Sequence, residues 1–265
     1  MNIRETFNVR ELGDPAAPSM VFAHGFGCEQ GMWRHMVPSF TETHHVVLFD
    51  HMGLGGSDPR GYDAQRYSTL DAYAEDVLSI CEALDLRDVT FVGHSVSASI
   101  GMLAARMRPE LFSALVLVCP SPRYIDDPID GYRGGFSRTD IDELLETLSH
   151  NYLGWAASMA PVIMGAPADD PRSAELTETF CRADPEVARG FAAATFLADN
   201  RDDLEHVQTR TLVLQSQQDV IAPPAVGAYV AEHLPDATLT MLDAVGHCPN
   251  LSAPAETVAA IKAFL

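Results

Sequence analysis

Six short runs of almost wholly apolar residues, at 20–23, 46–50, 89–93, 114–119, 211–215 and 238–242, punctuate the chain and constrain its fold more than any other feature. Apolar residues follow one another in these runs instead of alternating with polar ones. That pattern suits strands of a parallel sheet covered on both faces. Helical patterns lie between the runs. Leu70, Tyr73, Val77, Ile80, Cys81 and Leu84 form one apolar stripe, and Ser68 with Asp71 has the spacing of a capping box. Pro223 and Pro224 open a helix towards Leu234, and Pro254 opens the last one, to Leu265. Strand–helix alternation of this kind predicts a doubly wound, mostly parallel α/β sheet. At the N-terminus Ile3, Phe7 and Val9 alternate with polar residues, which predicts a half-exposed edge strand.

The rhythm breaks once. Residues 122–199 contain no convincing strand but four helical segments, at 139–152, 154–164, 173–182 and 185–199. A helical insertion covering one end of the sheet is the simplest reading. It divides the chain into a core of residues 1–121 and 200–265 and a cap of residues 122–199. With 265 residues the chain has room for one domain with such an insertion. Its 17 basic and 37 acidic side chains leave a net charge of −20, which a phosphate backbone or an anionic membrane would repel. Five scattered cysteines without a C-x-x-C pair fit reduced thiols, and no apolar run approaches the roughly 20 residues of a membrane span. The first residues, with Arg4 and Glu5, lack the apolar core of a signal peptide. A cytoplasmic protein that binds neither nucleic acid nor membrane is expected.

In a parallel α/β sheet ligands bind beyond the carboxyl ends of the strands, so residues just past each run come first. Gly93-His94-Ser95-Val96-Ser97 follows one run and precedes a helix rich in small residues. This is the nucleophile-elbow pattern G-x-S-x-G, with Ser97 in place of the last glycine. A serine hydroxyl needs a base, and the base needs an acid to orient it. Asp219 follows the run at 211–215, and His247 follows the run at 238–242 through a turn containing Gly246. Ser95, Asp219 and His247 therefore stand in the order of a Ser-Asp-His triad on one sheet edge. Acyl chemistry also needs donors for a developing oxyanion. The backbone N–H groups of Phe26, in His24-Gly25-Phe26-Gly27, and of Val96 are the candidates.

Competing readings are weaker. Residues 50–56 suggest a dinucleotide loop, but Asp58 occupies the third glycine position of G-x-G-x-x-G, and Asp50 reads as an acid bracing that loop. Cys119 ends a strand without a suitably placed base, and His44-His45 lack a third metal ligand. Neither a metal nor a cofactor is expected. Phe26, Phe136, Trp155, Met159, Met164, Phe191 and Phe196 supply large apolar surface for a pocket, and Cys248 would form part of its wall. A small roofed apolar pocket fits a compact hydrophobic ester or lactone better than a peptide or sugar.

The motifs His24-Gly25-Phe26-Gly27-Cys28, residues 49–55 (FDHMGLG), residues 67–73 (YSTLDAY), Gly93-His94-Ser95-Val96-Ser97-Ala98, residues 180–185 (FCRADP) and Gly246-His247-Cys248-Pro249 together resemble one branch of the α/β-hydrolase superfamily. That branch holds the RsbQ type and the plant karrikin and strigolactone receptors, and the resemblance covers nearly the whole chain. It implies the α/β-hydrolase fold with a V-shaped four-helix cap, a triad of Ser95, Asp219 and His247, and slow hydrolysis of small hydrophobic esters or lactones. It also implies a second role, in which the protein binds a signal ligand and acts through a sensor-domain protein phosphatase in stress signalling.

Overall fold

The computed structural model describes residues 2–265. Its strands are β1 (Arg10–Leu12), β2 (Ser19–Ala23), β3 (His45–Leu48), β4 (Val89–His94), β5 (Phe112–Val118), β6 (Thr211–Gln218) and β7 (Ala237–Val245). They form one sheet in the order β1-β3-β2-β4-β5-β6-β7, and every neighbouring pair is parallel except β1 with β3. The six apolar runs are the six parallel strands. Both faces of the sheet are buried: Met20, Phe22, Val116 and Val118 enter one apolar layer, while Val21, Ala23, Leu115 and Leu117 enter the other. A period of two with both phases covered explains why the runs of the central strands show no polar alternation; the edge strand β7, with Thr238 and Thr240 alternating with Leu239 and Met241, is only partly covered.

The helices are α1 (Ile3–Thr6), α2 (Leu70–Ala83), α3 (Val96–Met107), α4 (Arg138–His150), α5 (Tyr152–Met164), α6 (Pro171–Arg182), α7 (Pro185–Phe196), α8 (Pro224–His233), α9 (Pro249–Ser252) and α10 (Pro254–Phe264). Two local expectations fail. Ile3 to Thr6 is a helical turn, capped by the Asn2 side chain, and the antiparallel edge strand begins only at Arg10. Ile3 and Phe7 thus alternate by coincidence, and the local cap decides the conformation. The Ser68–Asp71 spacing does not form a capping box either. Thr69 is the N-cap of α2 and makes no side-chain cap bond, and Ser68 bonds the carbonyl of Gln65 instead.

Between β5 and β6 the chain makes α4 to α7, with strong start signals. Ser137 and Asp140 form a reciprocal capping box on α4, and the pairs Asp170-Pro171 and Asp184-Pro185 cap α6 and α7. The chain leaves and returns through one ion-pair cluster. Arg201 reaches Asp127 (3.2 Å), Asp130 (2.5 Å) and Asp199 (2.8 Å), while the N–H of Asn200 donates to the carbonyl of Pro122 (2.8 Å). Among the described residues no helix is long and apolar enough to cross a membrane.

One buried acid carries a stability prediction. Asp76 on α2 accepts hydrogen bonds from Tyr67 Oη (2.8 Å) and Arg66 Nη2 (3.0 Å). Burial outweighs these partners and raises its carboxyl to about 6. The folded chain therefore keeps this proton to higher pH than the unfolded chain, and the associated stability is lost as pH rises from about 4 to about 6. The loss is at most about 3 kcal/mol. Asp76→Asn is expected to raise the melting midpoint relative to wild type at pH 7.5 but not at pH 4. Equal midpoint differences at both pH values would contradict this.

Candidate active site

Ser95 is the single residue between the end of β4 and the start of α3, and a turn this sharp forces it to φ 57°, ψ −122°. A non-glycine residue there stores roughly 1–3 kcal/mol, which the surrounding structure must hold in place. Its backbone N–H donates to the carbonyl of Val118 (2.8 Å), and its carbonyl accepts from the N–H of Ala98 (2.9 Å). Gly93 is obligatory here: a Cβ would lie 2.3 Å from the carbonyl oxygen of Ser97.

Asp219 directly follows β6, and His247 lies two residues past β7. The turn into His247 needs Gly246, whose φ is 91° and whose Cβ would lie 2.2 Å from the carbonyl of Met164. The N–H of Gly246 donates to the carbonyl of Gln218, and the N–H of His247 to that of Ile163, each at 2.7 Å. The end of α5 therefore helps to hold the imidazole. The structure brings Ser95, His247 and Asp219 together. His247 Nε2 lies 2.7 Å from Ser95 Oγ, and its Nδ1 lies 2.7 Å from Asp219 Oδ2. All three residues are buried. With a neutral imidazole, Nδ1–H donates to the carboxylate and Nε2 accepts the serine proton, the tautomer a base requires.

Burial works to raise the Asp219 carboxyl, but His247 and the N–H groups of Ala222 and Ile221 together hold it below the usual carboxylate range. Those two amides donate to Oδ1 at 3.0 and 2.8 Å. His94 follows Gly93 in the elbow and donates from Nε2 to the carbonyl of His247 (2.7 Å). Burial lowers its imidazole to about 3, so it is neutral at physiological pH. Tyr124, just past β5, places its hydroxyl 3.4 Å from Ser95 Oγ, and burial pushes that phenol up to about 12. Sequence reasoning does not single out Tyr124; its only signal is its position shortly after the carboxyl end of a strand.

Ser95 and His247 open into a small apolar cavity. Of the pocket residues expected from sequence, Phe26, Phe136, Trp155, Met159, Phe196 and Cys248 line it. Phe191 does not. It is fully buried, and its ring packs 4.7 Å from that of Tyr73 and 5.9 Å from that of Phe26, so it supports Phe26 from behind. Met164 is also absent from the lining and packs in the core. Leu144, Ile163, Leu176, Phe180 and Ile221 line the cavity although sequence reasoning does not assign them to it. Helical periodicity puts Leu144 on an apolar face but cannot tell a face against a cavity from one against protein.

Ligand atoms of Cys119, Asp219 and His247 lie within 4.8 Å of one another. The facing atoms of Asp219 and His247 are already committed to their mutual 2.7 Å hydrogen bond, and burial raises the Cys119 thiol, which opposes the thiolate a metal would need. Asp50 has the bracing role read from sequence. Its carboxylate accepts from the N–H of Gly56 (2.9 Å), the N–H of Gln30 (2.8 Å) and Asn8 Nδ2 (2.7 Å).

Residues 18–254 match the family model of the alpha/beta hydrolase fold. The chain belongs to the α/β-hydrolase family. This α/β hydrolase is 38% identical over 253 residues to karrikin insensitive 2 receptor CA of Petunia hybrida, covering 95% of this chain and 93% of that one. It is 38% identical over 257 residues to a strigolactone esterase of Arabidopsis thaliana, covering 96% and 94%. Among solved structures, a hydrolase from Oleispira antarctica superposes with a TM-score of 0.96 at 39% identity, covering 99% of this chain and 96% of that one. Its relatives therefore include a karrikin insensitive 2 receptor and a strigolactone esterase, in keeping with the branch indicated by its motifs.

Proposed function

We propose that this α/β hydrolase is a serine hydrolase of small hydrophobic esters or lactones. The observation that carries this reading is the unbroken chain Ser95–His247–Asp219, with both links at 2.7 Å, opening into an apolar cavity. Ser95 Oγ attacks the substrate carbonyl and passes its proton to His247 Nε2, while Asp219 orients the ring and stabilises the imidazolium. The N–H groups of Phe26 and Val96 hold the oxyanion. The Val96 amide is that of the first residue of α3, where no acceptor exists within the helix. A Cβ on Gly25 would lie 3.3 Å from Ser95 Cβ, so the loop bearing Phe26 lies against the serine. Collapse of the intermediate expels the alcohol with the His247 proton. Water then attacks acyl-Ser95 and gives a proton to His247; the acyl–Oγ bond breaks to release the acid as His247 returns that proton to Ser95 Oγ.

Residues 122–199 act as the cap, and Phe136, Trp155, Met159 and Phe196 on it face the substrate. A panel of p-nitrophenyl esters, alkyl lactones, peptide anilides and glycosides tests the substrate class. Short esters or lactones are expected to turn over and the other two classes to remain intact; turnover of peptides or glycosides alone would overturn the assignment.

The receptors among the relatives favour a second reading, in which slow turnover accompanies ligand signalling through a protein partner, for which the motif resemblance implies a sensor-domain phosphatase. A turnover near one per minute with ligand-dependent complex formation supports it. Hundreds of turnovers per second, without a partner complex, support a metabolic role.

A further inference from the structure

Ser97 stands where the elbow motif has glycine, yet it is fully buried, and its hydroxyl is engaged on both sides. Its Oγ–H donates to the carbonyl oxygen of His24 (2.5 Å), and Ser97 Oγ itself accepts from His51 Nε2–H (2.7 Å). His51 Nε2 also lies 3.2 Å from the His24 carbonyl. The ring of His24 is held in turn. Its Nε2 accepts the backbone N–H of His51 (3.1 Å), so its proton sits on Nδ1, which donates to the carbonyl of Gly25 (2.9 Å). Burial lowers both imidazoles, that of His51 strongly, so both rings are neutral and these donor and acceptor roles persist at physiological pH.

The carbonyl of Gly25 shares one planar trans peptide with the N–H of Phe26, and in such a plane the two groups point in opposite directions. Holding the oxygen therefore aims the N–H. The N–H of Cys28 donates to the same oxygen (3.2 Å) and adds to the hold. Gly25 itself lies close against the elbow, where a Cβ would lie 2.5 Å from His94 Nδ1.

We infer that Ser97 is a positioning residue. With His51 and His24 it sets the orientation of the Gly25–Phe26 peptide, and hence the aim of the Phe26 oxyanion donor. This rests on the serine-hydrolase reading above and names a residue that reading does not use. A glycine at 97 leaves the His24 carbonyl with only the longer contact to His51.

Ser97→Ala and Ser97→Gly test the inference against wild type. For p-nitrophenyl butyrate, kcat is expected to fall about 10–100-fold with KM within about twofold, short of the full loss of an oxyanion donor. Affinity for an alkyl trifluoromethyl ketone, whose adduct with Ser95 carries an oxyanion, is expected to fall by the same factor. A purely structural defect would lower the melting midpoint without coupling kcat to ketone affinity. Glycine, the residue the motif has at this position, serves as the second variant if alanine disturbs folding. Unchanged kcat, or a lowered kcat with unchanged ketone affinity, overturns the role of Ser97 while leaving the hydrolase reading intact. An inactive wild type that does not bind the ketone overturns the hydrolase reading, and this inference with it.

Discussion

Ser95→Ala is expected to lower ester turnover by about 10⁴–10⁶-fold while leaving the fold unchanged. The size follows from the geometry. Ser95 Oγ lies 2.7 Å from His247 Nε2 and lines the apolar cavity, and the turn that presents it is strained. Removing the hydroxyl removes the atom placed to form the acyl intermediate. Residual rate above water then comes from substrate binding and oxyanion stabilisation. Alanine fits the same backbone, because the strain belongs to the φ and ψ of the turn, and Gly93 still allows the elbow to close. Turnover of a p-nitrophenyl ester with circular dichroism of both proteins checks it; a loss below tenfold would contradict the role of Ser95.

Asp219→Asn is expected to cost about 10⁴-fold in kcat with little change in KM. The Ile221 and Ala222 amides donate to Asp219 Oδ1, so the substituted asparagine keeps its carbonyl oxygen there and turns its amide NH₂ towards His247. A donor facing Nδ1 favours the tautomer with the proton on Nε2, which cannot accept the serine proton. In wild type the His247 and backbone contacts hold the Asp219 carboxyl below its usual range, so orientation of the imidazole persists into mildly acid solution. Steady-state kinetics of the variant test this, and a kcat within tenfold of wild type would contradict it.

The central parallel strands β2 to β5 are legible because each is buried on both faces, which leaves hydrophobic runs such as residues 114–119, too short for a typical helix. Ser95, Asp219 and His247 are legible for a related reason. Each lies one to a few residues past such a run, and Gly93 and Gly246 mark turns that no larger residue permits. The limits appear where periodicity carries no direction. Phe191 and Phe196 lie on one short helix, and only tertiary packing sends the first behind Phe26 and the second into the cavity. Tyr124 lies in an irregular segment with no motif. The N-terminal turn is decided by an Asn2 cap that competes with an alternating pattern too short to specify a strand.

The central claim is that Ser95 is a nucleophile activated by His247. Its most direct test is the mass of the intact protein after incubation with a fluorophosphonate, followed by mapping of the modified peptide. A single adduct on Ser95 in wild type, formed far more slowly in His247→Ala, is the expected result. Labelling at another residue, or at Ser95 with a rate indifferent to His247, would contradict it.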